Sequence, residues 1–182
     1  MKRLRIPILL LFCLLLCGCG SSGARSRCRA FSEQLAARET LHFTAQLRTE
    51  YPDRTAAFKL QYAMEDGEQA VTVKEPESIA GIRARLLPGE TRLEYDDLIL
   101  DVGNLDDRGL SPMAALPTLV EAMRSGHLDS FWKEGGELAA EFVLTDELRA
   151  QVRFEPESMT PTHAELLRAD TVAVYCDITD WR

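Results

Sequence analysis

"LHFTAQLRTEYPDRTAAFKLQYAME", residues 41–65, is the stretch that decides the fold. Leu41, Phe43, Ala45 and Leu47 alternate with His42, Thr44, Gln46 and Arg48. After Pro52-Asp53 the period of two resumes, with Ala56, Phe58, Leu60, Tyr62 and Met64 set against Ala57, Lys59, Gln61 and Ala63. Successive side chains of a strand point to opposite faces, so this pattern describes two strands with one apolar and one wet face. A link as short as Pro52-Asp53 forces the two strands to run antiparallel.

The same period continues downstream. Val71 and Val73, then Ile82, Ala84 and Leu86, then Leu93 and Tyr95, then Leu98, Leu100 and Val102 extend it, with turns at Asp66-Gly67, Pro88-Gly89 and Asp96-Asp97. It stops at Gly103. Residues 104–126 open as a loop, and Ser111-Pro112 or Leu116-Pro117 starts a helix that ends near Arg124-Ser125-Gly126. Met113, Leu116, Leu119, Val120 and Met123 form its apolar stripe, and Pro117 predicts either a first-turn proline or two short helical pieces. Strands then resume at 138–144, 148–154, 162–168 and 171–180. Upstream, Cys28, Phe31 and Leu35 recur at spacings of three and four and mark one short helix over 28–38.

The total is about ten antiparallel strands with two helices, a mainly β, α+β chain. Ten flat strands would expose a large apolar face, so the sheet is expected to curl into a half-barrel, with the N-terminal helix and the helical insert capping its opening.

The N-terminus reads as an export signal. Lys2, Arg3 and Arg5 precede about a dozen apolar residues ending at Cys17, too few for a membrane span, which needs about 20. Leu16-Cys17-Gly18 before Cys19 resembles a bacterial lipobox, with an aliphatic residue at −3 and a small one at −1. Cys17 would put Leu16 where a small residue is required, so Cys19 is the candidate for diacylglycerol and palmitate attachment. Residues 1–18 are then the signal peptide, 19–27 a flexible tether and 28–182 the domain. Such a chain is exported and anchored by lipid to the outer leaflet of the bacterial cell membrane.

Removing the signal takes three positive charges from a chain whose net charge is already −8. That balance excludes a nucleic-acid partner. Cys28 and Cys176 remain near opposite ends of the domain. They read either as a disulfide, favoured by an oxidising exported compartment, or as two buried thiols.

The order of these parts resembles the LolA/LolB/LppX family of exported lipid- and lipoprotein-binding proteins. The likeness spans about 28–180. It rests on an N-terminal helix, a run of strands, "VTVKEPESIAGI" at 71–82 with its proline break, "LEYDDLILDVG" at 93–103, then a helical insert and further strands. The resemblance implies an open half-barrel whose apolar interior accepts acyl chains under a helical lid. With Cys19, the chain is similar to the anchored members. Among these, spore-germination lipoproteins that act through a cell-wall amidase imply protein binding instead.

Signals for catalysis are sparse. His42, His127 and His163 are scattered, and the H-E-x-x-H, G-x-S-x-G and P-loop patterns do not occur. Ser111 reads as a helix cap, Asp96-Asp97 and Glu155/Glu157 as turn residues. Asp101, Asn104, Asp106 and Asp107 form an acidic loop without the order of an EF-hand. No enzyme activity, metal or cofactor is expected. Two readings follow: an apolar ligand held by Phe43, Phe58, Leu60, Tyr62, Leu93, Phe142, Phe154, Met113, Leu116 and Met123, or an envelope interaction module with a solid interior. A void of several hundred Å³ favours the first. Phe131-Trp132 is expected over the opening or on a partner surface.

Overall fold

A computed structural model describes residues 20–51, 54–87, 90–103 and 111–182. Cys19, Asn104, Asp106 and Asp107 lie outside the described residues.

Among the described residues eleven strands form one antiparallel sheet: β1 (Leu41–Tyr51), β2 (Arg54–Glu65), β3 (Glu68–Glu75), β4 (Arg83–Leu87), β5 (Glu90–Tyr95), β6 (Leu98–Gly103), β7 (His127–Glu134), β8 (Glu137–Thr145), β9 (Leu148–Phe154), β10 (Pro161–Arg168) and β11 (Thr171–Thr179). Among the described residues two helices accompany it, α1 (Gly20–Ala36) and α2 (Pro112–Ser125). The strand order is β6-β5-β4-β3-β2-β1-β11-β10-β9-β8-β7, so two meanders meet where β1 pairs with β11, and β6 and β7 are the edges. The sheet is not closed into a barrel.

Tight turns set the register of the hairpins. Asp66 and Gly67 both take positive φ, as do Gly135 and Gly136, the geometry whose twist matches that of the flanking strands. Between β3 and β4 the chain breaks at Glu75-Pro76, a cis peptide, and passes through a single 3₁₀ turn at Glu77–Ile79. This is the proline break in the quoted 71–82 stretch.

Sheet curvature follows from what α2 touches. It packs against β2 and β3 on one side and β8, β9 and β10 on the other. From β3 to β8 is six steps in the strand order, about 29 Å across a flat sheet at ~4.8 Å per step, whereas a helix is only about 10–12 Å wide. The sheet therefore wraps around the helix. Six of the ten strand pairings carry a register shift, the local kinks by which a sheet bends.

The alternation read from residues 41–65 is the alternation of burial. Leu41, Phe43, Ala45, Leu47, Leu60, Tyr62 and Met64 are buried, while Gln46, Arg48 and Glu50 are exposed. The apolar face of α1, Cys28, Phe31 and Leu35, joins the same core. Phe31 meets Phe154 edge-on at 4.9 Å, and Trp181 packs against Phe43 at the same centroid distance. Arg182 and His42 exchange backbone hydrogen bonds, which fixes the C-terminal residues beside the start of β1.

Four expectations are adjusted. An eleventh strand, β7, contains Phe131 and Trp132, which pair with Ala140 and Ala139 instead of folding over an opening. The helix α1 runs back to Gly20, through most of the stretch expected as a flexible tether. Ser26 Oγ donates to the Gly23 carbonyl there, and Arg27 bonds the Pro156 carbonyl. Pro117 sits inside one continuous helix, with its ring buried. It supplies no N–H to the turn before it, and packing of the whole stripe offsets that loss. Cys28 and Cys176 are both buried free thiols and form no bridge in this structure.

Candidate functional site

Much of the concave face lies in the buried apolar cluster. Phe43, Leu60, Tyr62, Leu116, Met123, Phe142 and Phe154, seven of the ten residues read as ligand contacts, expose 0–1% of their surface. A void large enough for water beside them would count as accessible area. Their exposure leaves little such area beside these seven side chains. The Tyr62 hydroxyl stays satisfied within that packing by bonding Gln69 Oε1 at 2.9 Å, and burial pushes it well above the ordinary tyrosine value. Met113 and Phe58 are half-buried and pack against the same core. Phe58 also lines an open cleft of about 430 Å³ with Leu47, Pro76 and Tyr175. Leu93 is half-buried on β5, opposite Ala84 and Leu100.

Other candidates fall at separate places. His42 faces Glu65 at 3.3 Å, and His163 lies between Asp177 at 2.7 Å and Glu165 at 3.5 Å. His127 begins β7. Among the described residues, no group of three or more His, Cys, Asp or Glu side chains is placed to hold a metal. Glu155 accepts backbone N–H bonds from Glu157 and Ser158 at 3.1 and 2.6 Å, which hold its carboxyl below the usual range. It caps its turn. Ser111 occupies the N-cap position of α2 without a side-chain bond; its carbonyl accepts from Ala114 and Ala115.

Two surface features stand out instead. On the edge strand β6, Leu98, Ile99 and Leu100 are 66, 65 and 60% exposed, with Val102 and neighbouring Tyr95 exposed as well. The alternation predicted one covered face for Leu98, Leu100 and Val102. The covering helix packs chiefly on β2, β3 and β8–β10, so the apolar pattern of β6 continues past the helix that would bury it. Asp96 and Asp97 border this edge at its hairpin turn, exposed. Natural sheet edges are usually short, charged or covered, and an apolar strand exposed on both faces marks an interaction surface.

The second feature is an open cleft of about 1090 Å³ between α1, the C-terminal end of α2 and the start of β7. Arg25 and Arg29 from α1, Arg124 from α2 and His127 from β7 line it, together with Leu128 and Phe131. These residues come from three elements, and only the fold brings them together.

No family profile matches the chain, and no curated protein matches it significantly. Solved structures match over most of its length. An uncharacterised conserved protein from Thermus thermophilus superposes with a TM-score of 0.51 at 8% identity, covering 87% of this chain and 86% of that one. A LolA superfamily protein from Nitrosomonas europaea gives 0.48 at 12% identity, covering 87% and 92%. A chain in the complex of the CwlD amidase with the GerS lipoprotein from Clostridioides difficile gives 0.46 at 12%, covering 82% and 88%. The half-barrel read from the order of the elements is thus a fold that solved structures share, the Thermus thermophilus protein among them.

Proposed function

We propose that this chain is a non-catalytic, lipid-anchored interaction module of the bacterial cell envelope, which recruits a partner protein along the β6 edge. The observation that carries the reading is the contrast between concave-side residues such as Phe43, Leu60 and Phe142, which are buried, and an apolar edge left in water. A carrier of acyl chains needs room on its concave side; a recruiter needs an open surface. Strand addition to β6 would cover Leu98, Ile99 and Leu100 together. Charge selects the occupant: Asp96 and Asp97 at the turn favour an extended partner segment with apolar residues flanked by Lys or Arg. A cell-wall amidase, the partner class implied by the resemblance to anchored germination lipoproteins, is the first to test.

A photo-crosslinking residue at Ile99 or Leu100 in the membrane-bound chain is expected to yield one discrete protein adduct, and the same residue at Gln46 on the exposed face of β1 none. The adduct is expected to disappear on Leu100→Pro, because proline cannot take part in edge pairing without distortion. The apolar-ligand reading predicts the reverse: no adduct from β6, and a stoichiometric lipid in solvent extracts of the purified chain.

A further inference from the structure

The cleft beside α1 reverses the charge of the molecule. Across the sequence 29 acidic residues outnumber 21 basic ones, yet the cleft is lined by Arg25, Arg29, Arg124 and His127 against the single carboxylate of Glu33. Arg25, Arg29, Ser32 and Ala36 recur at spacings of four, three and four, so one stripe of α1 faces the cleft beside the apolar stripe that anchors the helix.

Each cation is held differently. Arg124 is fixed, donating to the Ala36 carbonyl at 2.9 Å and contacting Met64 Sδ. Arg25 reaches the Leu128 carbonyl only at 3.5 Å, and Arg29 lies 4.0 Å from Glu33 with four-fifths of its side chain exposed. One guanidinium is therefore positioned in advance, and two are free to turn onto a ligand. Ser26, Ser32 and Ser125 add hydroxyls to the lining. Ser125 Oγ is engaged with Glu121. Leu128 and Phe131 give the far wall an apolar surface.

We infer that this cleft binds the phosphate group of an amphiphilic organophosphate, gripped by Arg25, Arg29 and Arg124, with the apolar part of the ligand lying on Leu128 and Phe131. Several guanidiniums converging with hydroxyl donors suit the three-dimensional oxygen array of a phosphate, which accepts more hydrogen bonds than a lone carboxylate. One source is the membrane itself. Arg25 lies six residues beyond Cys19, at most about 22 Å of extended chain, so a chain tethered at Cys19 holds the cleft within reach of lipid headgroups. The other source is a soluble phosphate ester. The membrane source rests on the tether reading; binding in the cleft does not.

The test is calorimetric titration of the purified full-length chain in a non-ionic detergent. The probes are dihexanoyl-phosphatidylglycerol, dihexanoyl-phosphatidylcholine, glycerol 3-phosphate and hexanoate. Saturable binding of the anionic lipid, at least tenfold tighter than of the zwitterionic lipid and of hexanoate, is expected. The double variant Arg25→Glu/Arg29→Glu is expected to lose at least tenfold, and Arg48→Glu, on the opposite face of the sheet, to change less than twofold. Glycerol 3-phosphate binding as tightly as the lipid assigns the cleft to a soluble ester; weaker binding assigns it to the membrane. Equal affinity for hexanoate, or affinity unchanged in the double variant with its urea midpoint preserved, overturns the assignment. Mass spectrometry of Cys19 in the same preparation reports the tether separately, so the two readings fail independently.

Discussion

Cys176 on β11 has no accessible surface, and Cys28 on α1 is equally covered. Burial pushes both thiols above their ordinary value of 9.0, with the Asp177 charge adding to the effect at Cys176 and Arg27 opposing it at Cys28. Above pH 9 the unfolded chain therefore releases protons that the folded chain retains. The stability associated with these thiols is therefore complete below pH 9 and is lost as pH rises. Tyr62 adds the same tendency above pH 10. Urea unfolding at pH 7, 9 and 10 is expected to show a falling midpoint, and a Cys28→Ala/Cys176→Ala variant a flatter one. Iodoacetamide is expected to label neither cysteine until urea is added. The burial of both residues was legible in sequence, from the helical spacing of Cys28 and the strand alternation around Cys176. Their redox pairing was not, because it depends on a distance between two elements that no local pattern encodes.

At the scale of elements, the end of α2 is a narrow fit. Gly126 closes the helix by donating to the Ala122 carbonyl, and a β-carbon placed there would lie 2.3 Å from that same oxygen. Gly126→Ala is expected to cost about 1–3 kcal/mol, the usual penalty of forced overpacking, read as a lower urea midpoint with an unchanged slope. The helix was legible from Met113, Leu116, Leu119, Val120 and Met123; its continuity through Pro117 was not, since propensity yields to tertiary packing. β7 escaped notice for another reason. Leu128, Phe131 and Trp132 are all half-exposed, so neither face of that strand offers the contrast that makes a period of two visible. β6 misled in the opposite sense, having a clean alternation and no cover. The basic cleft shows the same limit: Arg25 and Arg29 share a visible helical spacing, but Arg124 and His127 join them only through the fold.

For the whole molecule, curling of the sheet was inferred from the apolar area that a flat one would expose, and it is seen in the way α2 reaches both meanders. Attachment to the membrane is a separate matter. Among the described residues no helix is long and apolar enough to cross a membrane; the proposed anchor is Cys19. Metabolic labelling with palmitate is expected to mark the wild-type chain and the Cys17→Ala variant equally and to fail in Cys19→Ala. Labelling that depends on Cys17 instead would move the anchor by two residues.

The pairing of β1 with β11 carries a consequence for assembly. Each meander can zip from hairpin to hairpin using neighbours in sequence, but the seam between them joins residues such as Ala45 and Ile178, more than a hundred positions apart. Until that seam closes, two ribbons expose unsatisfied backbone at what will become the centre of the sheet. Non-local pairing of this kind slows folding. A chain made amino end first would thus stay open to proteases and to self-association until its final strand arrives, and seam closure is expected to be the slow step of its folding.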